Sequence, residues 1–195
     1  QAGFGRLDQH QYLSTRNGPG YTLHEFDPAG NLIYYGLYYS NSEWSADGIS
    51  VSIGSGDLYV AKRWANGTWA WVVPLDLNGA SGGAAALAVD DSGNSYIVGH
   101  RTSGALDLPG NDHDLPNREA AFFVSLDGDG GTRWAQDAYM TSGSSNANWH
   151  VSTDTIVNTY GFSRIHVDGA TGELTIAGQV STSSSSDRSL AFGNQ

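Results

Sequence analysis

The chain contains no cysteine. That excludes disulfides, thiolate metal sites and cysteine nucleophiles, while remaining compatible with either a cytosolic or an exported protein. Positive charge is scarce as well: 9 Lys and Arg stand against 20 Asp and Glu, a formal net charge of −11. A surface of that sign repels phosphate backbones and anionic headgroups, so neither nucleic-acid binding nor docking on acidic lipid is expected. No apolar run approaches the roughly 18–20 residues that span a bilayer as a helix, so membrane insertion is not expected. The six histidines are scattered without an H-E-x-x-H arrangement, which disfavours a zinc enzyme. No glycine-rich phosphate loop opens a helix, and helical signals are nearly absent throughout. The chain starts at Gln1 without Met. With its low Lys and high Gly, Ser, Thr and Asn, it reads as a mature, processed or partial chain that is exported, with an extracellular or cell-surface location expected.

Glycine is abundant instead, at 26 of 195 residues, and apolar residues reach 39%. Enough apolar surface to pack a core, cut by many turn formers, describes short strands joined by tight turns. Three stretches echo one another: Leu87 to Gly99, Ile49 to Ala61 and Ile165 to Gly178. Each reads as a β-rich run, a Gly turn and a second β-rich run. A second phrase, a strand, a Gly turn and an aromatic strand, lies around Gly30, Gly67 and Gly130. Gly30 to Gly67 and Gly56 to Gly93 both span 37 positions, and Gly30 to Gly56 and Gly67 to Gly93 both span 26. Repeats of this size built from hairpins imply a ring or stack of small sheets. The expected units are 20–61, 62–99 and 120–178, with long loops at 100–121 and 142–162. Asn66-Gly67 signals a two-residue type I′ hairpin, and period-2 alternation puts Trp69, Trp71 and Val73 on one face. Ala84 to Ala88 is expected to begin a strand.

From Leu87 to Tyr139 the chain resembles the SBBP-type (seven-bladed β-propeller) repeat of bacterial exported proteins. The matching residues are AVDDSGNSYIVG, then Asp107-Leu108-Pro109 where that family carries Asp-aromatic-Pro, then AFFVSLDGDGG, with Ser125 in place of Lys. The resemblance implies an all-β propeller-like array, here of about three antiparallel blades plus edge strands near His10 to Ser14 and Leu174 to Gly178. Fewer than four blades do not close a ring, so exposed edges and a protein partner or self-association are expected.

Candidate sites are few. Asp107, Asn111, Asp112, His113 and Asp114 form the densest polar cluster, suited to a divalent cation, a ligand or acid–base work; a solvated loop is the plainer reading. Asp127 and Asp129 resemble half of a Ca²⁺ loop, the one cofactor suggested, but Ala138 stands where a bidentate Glu would sit. A hairpin turn explains them as well. Trp44 and Trp149, read as loop aromatics, could stack on sugar. Gly79-Ala80-Ser81-Gly82-Gly83 fits G-x-S-x-G but leads into a strand, whereas a nucleophile elbow needs a helix. The reading is a non-enzymatic extracellular assembly or adhesion module. The alternatives are a carbohydrate-binding propeller and a fragment of a propeller hydrolase or quinoprotein.

Overall fold

A computed structural model describes residues 22–39, 43–110, 113–140, 161–179 and 190–192. Every regular element among them is a β-strand, as the composition implies. Strands β1 (Thr22–Phe26), β2 (Leu32–Leu37), β5 (Leu58–Arg63) and β6 (Trp69–Leu75) form a four-stranded antiparallel sheet in the order β1-β2-β5-β6. A small hairpin, β3 (Trp44–Ala46) and β4 (Ile49–Val51), is inserted between β2 and β5. Strands β7 (Gly82–Val89), β8 (Ser95–Arg101), β9 (Ala120–Leu126) and β10 (Thr132–Met140) repeat the meander, with β13 (Leu190–Phe192) added beside β10. A hairpin of β11 (Gly161–Val167) and β12 (Leu174–Gln179) stands as a two-stranded third sheet.

The two meanders are copies in register. In the first, Ile33 pairs with Lys62 and Lys62 with Trp71. In the second, Tyr96 pairs with Ser125 and Ser125 with Trp134. Each residue lies 63 positions after its counterpart (96 − 33, 125 − 62, 134 − 71), and the third-to-fourth strand ladder shifts register at the same place in both. The repeat is therefore a whole four-stranded sheet, and the sheet boundary falls between Leu75 and Gly82, inside the expected unit 62–99. The spacing of 37 does not mark a structural unit, and Ile49 to Ala61 is not a hairpin. β4 pairs with β3, whereas β5 pairs with β2.

Packing is sheet upon sheet. Ile33, Tyr35, Leu58, Val60, Val73 and Leu75 from the first sheet meet Leu87, Ile97, Phe122, Val124, Leu126 and Ala135 from the second. The far face of the first sheet carries Tyr59, Ala61, Trp69 and Val72, covered by Trp44 and its hairpin. The far face of the second carries Val98, Ala121, Phe123 and Ala138, with Ile165 and Ile176 of the third sheet packed against it. The first strands of successive sheets also meet, β1 against β7 and β7 against β11. That crowding explains why β7 is built from Gly82, Gly83, Ala84, Ala85, Ala86 and Ala88. Small side chains let three backbones approach, which is how a helix-like Ala run becomes a strand.

Two local expectations are corrected. Asn66-Gly67 is not a type I′ turn. The Trp64 N–H bonds the Thr68 carbonyl and the Gly67 N–H bonds the Trp64 carbonyl, a three-residue loop with only Gly67 left-handed (φ 90°). The Asn66 side chain accepts from the Thr68 N–H at 3.0 Å and its hydroxyl at 2.8 Å, which favours this form. Trp69 and Trp71 also face opposite ways. Arg63 pairs with Trp69 but Lys62 with Trp71, so Ala70 is an extra residue and the bulge reverses the alternation.

Candidate functional site

Four hairpin turns, those joining β1 to β2, β7 to β8, β9 to β10 and β11 to β12, are each capped by an Asp. Asp27 Oδ1 accepts from the N–H groups of Ala29 (3.0 Å) and Asn31 (2.8 Å). Asp90 Oδ1 accepts from Ser92 and Asn94, both at 2.9 Å. Asp127 Oδ1 accepts from Asp129 (2.9 Å) and Gly131 (2.8 Å). Asp168 Oδ1 accepts from Ala170 (3.0 Å) and Thr171 (2.8 Å). In each turn a Gly follows in the left-handed region: Gly30, Gly93, Gly130 and Gly172. The carboxylate satisfies donors that the tight turn leaves without partners. Asp127 is thereby a turn cap, and Asp129 is exposed beside it. Among the described residues no three His, Asp or Glu converge as a metal site.

The loop after β8 is folded inward. Leu106 and Leu115 pair across it, and with Leu108 all three are buried in the core between the two meanders. Its polar residues serve that fold. Asp107 exchanges backbone hydrogen bonds with Asp76 at 2.9 and 3.1 Å, and Asp114 Oδ1 accepts from the Leu108 N–H at 2.8 Å. Asp107, His113 and Asp114 are each half-buried, and Asn111 and Asp112 lie outside the described residues. Trp44 is corrected from a loop aromatic to the first residue of β3. It is 8% exposed, with its ring edge-on to Trp69 at 5.3 Å, so it has no free face for a sugar. Trp149 lies outside the described residues. Ser81 leads directly into β7, and its carbonyl accepts from Thr102, which leaves the G-x-S-x-G stretch a connecting loop.

Two buried charge clusters escaped the sequence reading. Lys62 Nζ lies 3.1 Å from Asp27 Oδ2, both side chains nearly inaccessible. The ammonium also donates to the Gly128 carbonyl at 3.2 Å, and the Trp71 Nε1 donates to that same oxygen at 3.0 Å. These bonds tie the first sheet to the β9–β10 turn of the second. The signal was a Lys at an inward position of the apolar strand Leu58–Arg63. The second cluster joins Arg101 to Asp137 at 3.0 Å, both fully buried, with Arg118 Nε on the same oxygen at 3.2 Å. Arg101 also donates to the carbonyls of Pro116 (2.8 Å) and Arg118 (3.0 Å), pinning the inward loop to β8.

Burial alone would raise the Asp27 carboxyl, but the Asn31 amide, its backbone N–H and the Lys62 ammonium outweigh it and hold the group below its ordinary value. Burial is likewise overcome at Asp90 by Asn94, Tyr96 and Ser92. Asp57 goes the other way, raised chiefly by burial. A lowered carboxyl stabilises the fold above the unfolded pKa of about 3.9 and loses that contribution as pH falls through the folded value; Asp57 opposes this weakly. The urea midpoint is therefore expected to hold near neutrality and fall below about pH 4. The Asp27→Asn/Asp90→Asn pair should flatten that acid limb, and an unchanged limb would count against these two groups as its source.

Searches of protein families, curated proteins and solved structures return no match to this chain. No helix among the described residues is long and apolar enough to cross a membrane.

Proposed function

We propose that the chain is a non-enzymatic, propeller-like assembly or adhesion module that acts outside the cell and associates through free sheet edges. The observation that carries this reading is the third sheet. Among the described residues it holds two strands where the preceding meanders hold four, and the outer edge of β12 pairs with no other strand there. An open edge invites a further strand. The propeller element is supported by the 63-position repeat of a four-stranded meander and by first strands that adjoin from sheet to sheet. The stretch resembling the SBBP repeat, Leu87 to Tyr139, coincides with the second meander. The extracellular setting rests on composition alone. A carbohydrate-binding alternative is weakened by the burial of Trp44.

Sedimentation of the chain from about 1 to 100 μM, a range in which micromolar self-association registers, tests the reading. Concentration-dependent assembly is expected. A folded monomer that also captures no protein partner would overturn it.

A further inference from the structure

Asn-Gly occurs three times in the chain, at Asn17, Asn66 and Asn78. The first lies outside the described residues, and the fold treats the other two in opposite ways. Around Asn66 the loop is latched. The Asn66 Oδ1 accepts from the Thr68 N–H (3.0 Å) and hydroxyl (2.8 Å), and the Gly67 N–H donates to the Trp64 carbonyl at 2.8 Å. Arg63 Nε donates to the Gly67 carbonyl at 2.5 Å, and the Ala65 N–H donates to Asn31 Oδ1 at 3.0 Å. Asn78 stands at the tip of the turn from Leu77 to Ala80, closed by the Ala80 N–H on the Leu77 carbonyl at 3.0 Å. Both central residues are left-handed, Asn78 at φ 53° and Gly79 at φ 74°, the signature of a type I′ turn. Both are exposed, and beyond its chain neighbours no atom lies within 4 Å of where a Gly79 side chain would begin. Among the described residues the Asn78 carboxamide makes no hydrogen bond and the Gly79 N–H has no acceptor.

An asparagine followed by glycine carries both an electrophile and a nucleophile. The glycine amide nitrogen gives its proton to a solvent base and attacks Cγ of the asparagine. The Cγ–Nδ2 bond breaks, ammonia leaves, and a five-membered succinimide closes. Water then adds to one imide carbonyl and the C–N bond there opens, giving aspartate or isoaspartate. Glycine suits the step because it has no Cβ in the way and its backbone turns freely. In a folded chain the rate depends on whether that N–H is free and on what must break to bring it against Cγ. At Asn78 the N–H is free, the Ala80 to Leu77 bond is what closes the turn, and the residue leaves a backbone region that non-glycine residues occupy at a cost. We infer that Asn78 is a site of deamidation in the folded protein, at the joint between the two meanders, whereas the Asn66 loop shields its own Asn-Gly pair. Residues 76–81 are the whole connection from β6 to β7. Leu77 within it is fully buried, its N–H held by Asp57 Oδ1 at 3.0 Å. Isoaspartate inserts an extra methylene into the main chain one residue beyond that anchor. Either product adds a carboxylate two residues from Asp76, whose Oδ1 takes the Asn78 N–H at 2.6 Å. None of this depends on the assembly reading.

The test is to age the intact protein in mildly alkaline buffer made with heavy-oxygen water, with and without urea, and to map each asparagine by peptide mass spectrometry. Digestion in ordinary water then leaves any later conversion unlabelled. In the folded protein, labelled aspartate and isoaspartate are expected at position 78. Conversion at position 66 should be about tenfold slower or more, the factor set by roughly 1.4 kcal/mol of latching hydrogen bonds. In urea the two rates should converge. Three results would each overturn the proposal: Asn66 converting as fast as Asn78 in the folded protein, Asn78 converting only in urea, or the same ratio of rates in both conditions. The last would mean that neighbouring sequence, not the fold, sets the difference. Asn78→Gly removes the carboxamide and keeps a residue suited to the turn. Aged wild-type protein is expected to unfold at lower urea than fresh protein, and aged Asn78→Gly to lose less. Equal behaviour of the two on ageing would overturn the consequence drawn for the joint.

Discussion

Asp137→Asn is expected to cost about 3–5 kcal/mol of unfolding free energy, the range for breaking a buried ion pair by removing one partner. The residue it strands is Arg101, fully buried and held by one carboxylate oxygen and two backbone carbonyls. With the carboxylate neutralised, the guanidinium keeps its desolvation cost and loses its charge partner. Burial already lowers the Arg101 pKa from its ordinary value against the opposing pull of Asp137. Such a loss is a large share of the roughly 5–15 kcal/mol that holds a domain together. Removing both charges with Arg101→Met/Asp137→Leu should recover most of it, because an apolar pair carries no such penalty. Arg118→Ala should cost about 1 kcal/mol or less, since that side chain is 30% exposed. Urea midpoints at constant slope decide the matter; an Asp137→Asn loss under about 1 kcal/mol would show that the pair does not behave as a buried one.

The second large effect is expected at Gly99, for steric rather than conformational reasons. Its φ is ordinary, but a methyl group there would collide with the Phe122 ring and the Tyr35 hydroxyl in the core between the meanders. Gly99→Ala should destabilise by about 1–3 kcal/mol, the usual cost of overpacking. Tyr35→Phe offers a control on the same contact. That hydroxyl is buried without a hydrogen-bond partner among the described residues, and burial holds its pKa well above the ordinary phenol. Deleting it should be neutral or stabilising by up to about 1 kcal/mol. In the double variant the collision is partly relieved, giving a coupling of about 0.5–1 kcal/mol. Strict additivity would place the two residues out of contact.

These effects show where the sequence is readable and where it is not. The all-β class follows from turn formers and β-rich runs, and the Leu87 to Gly99 echo is a true hairpin, β7 with β8. Ile49 to Ala61 imitates that phrase because a strand, a Gly turn and another strand look alike whether or not the strands pair. Pairing is decided at long range, by β2 reaching β5 across the inserted hairpin. The face of Trp69 was hidden by a bulge, which period-2 counting cannot see. The polar loop around Asp107 drew attention through its density of acids. The three leucines beside them, Leu106, Leu108 and Leu115, were the better guide to its place. Arg101 and Asp137 stand on different strands, so their meeting is set only by the stacking of β8, β9 and β10.

The way β7 lies between β1 and β11 has a mechanical consequence. Its short side chains bring neighbouring backbones close but offer little area to resist sliding, whereas the Lys62 and Trp71 bonds to Gly128 act at the opposite margin of the sheets. A load applied along the array would therefore meet a compliant seam on one side and a few polar rivets on the other. Rupture would proceed one sheet at a time, in discrete steps, rather than as a single collapse.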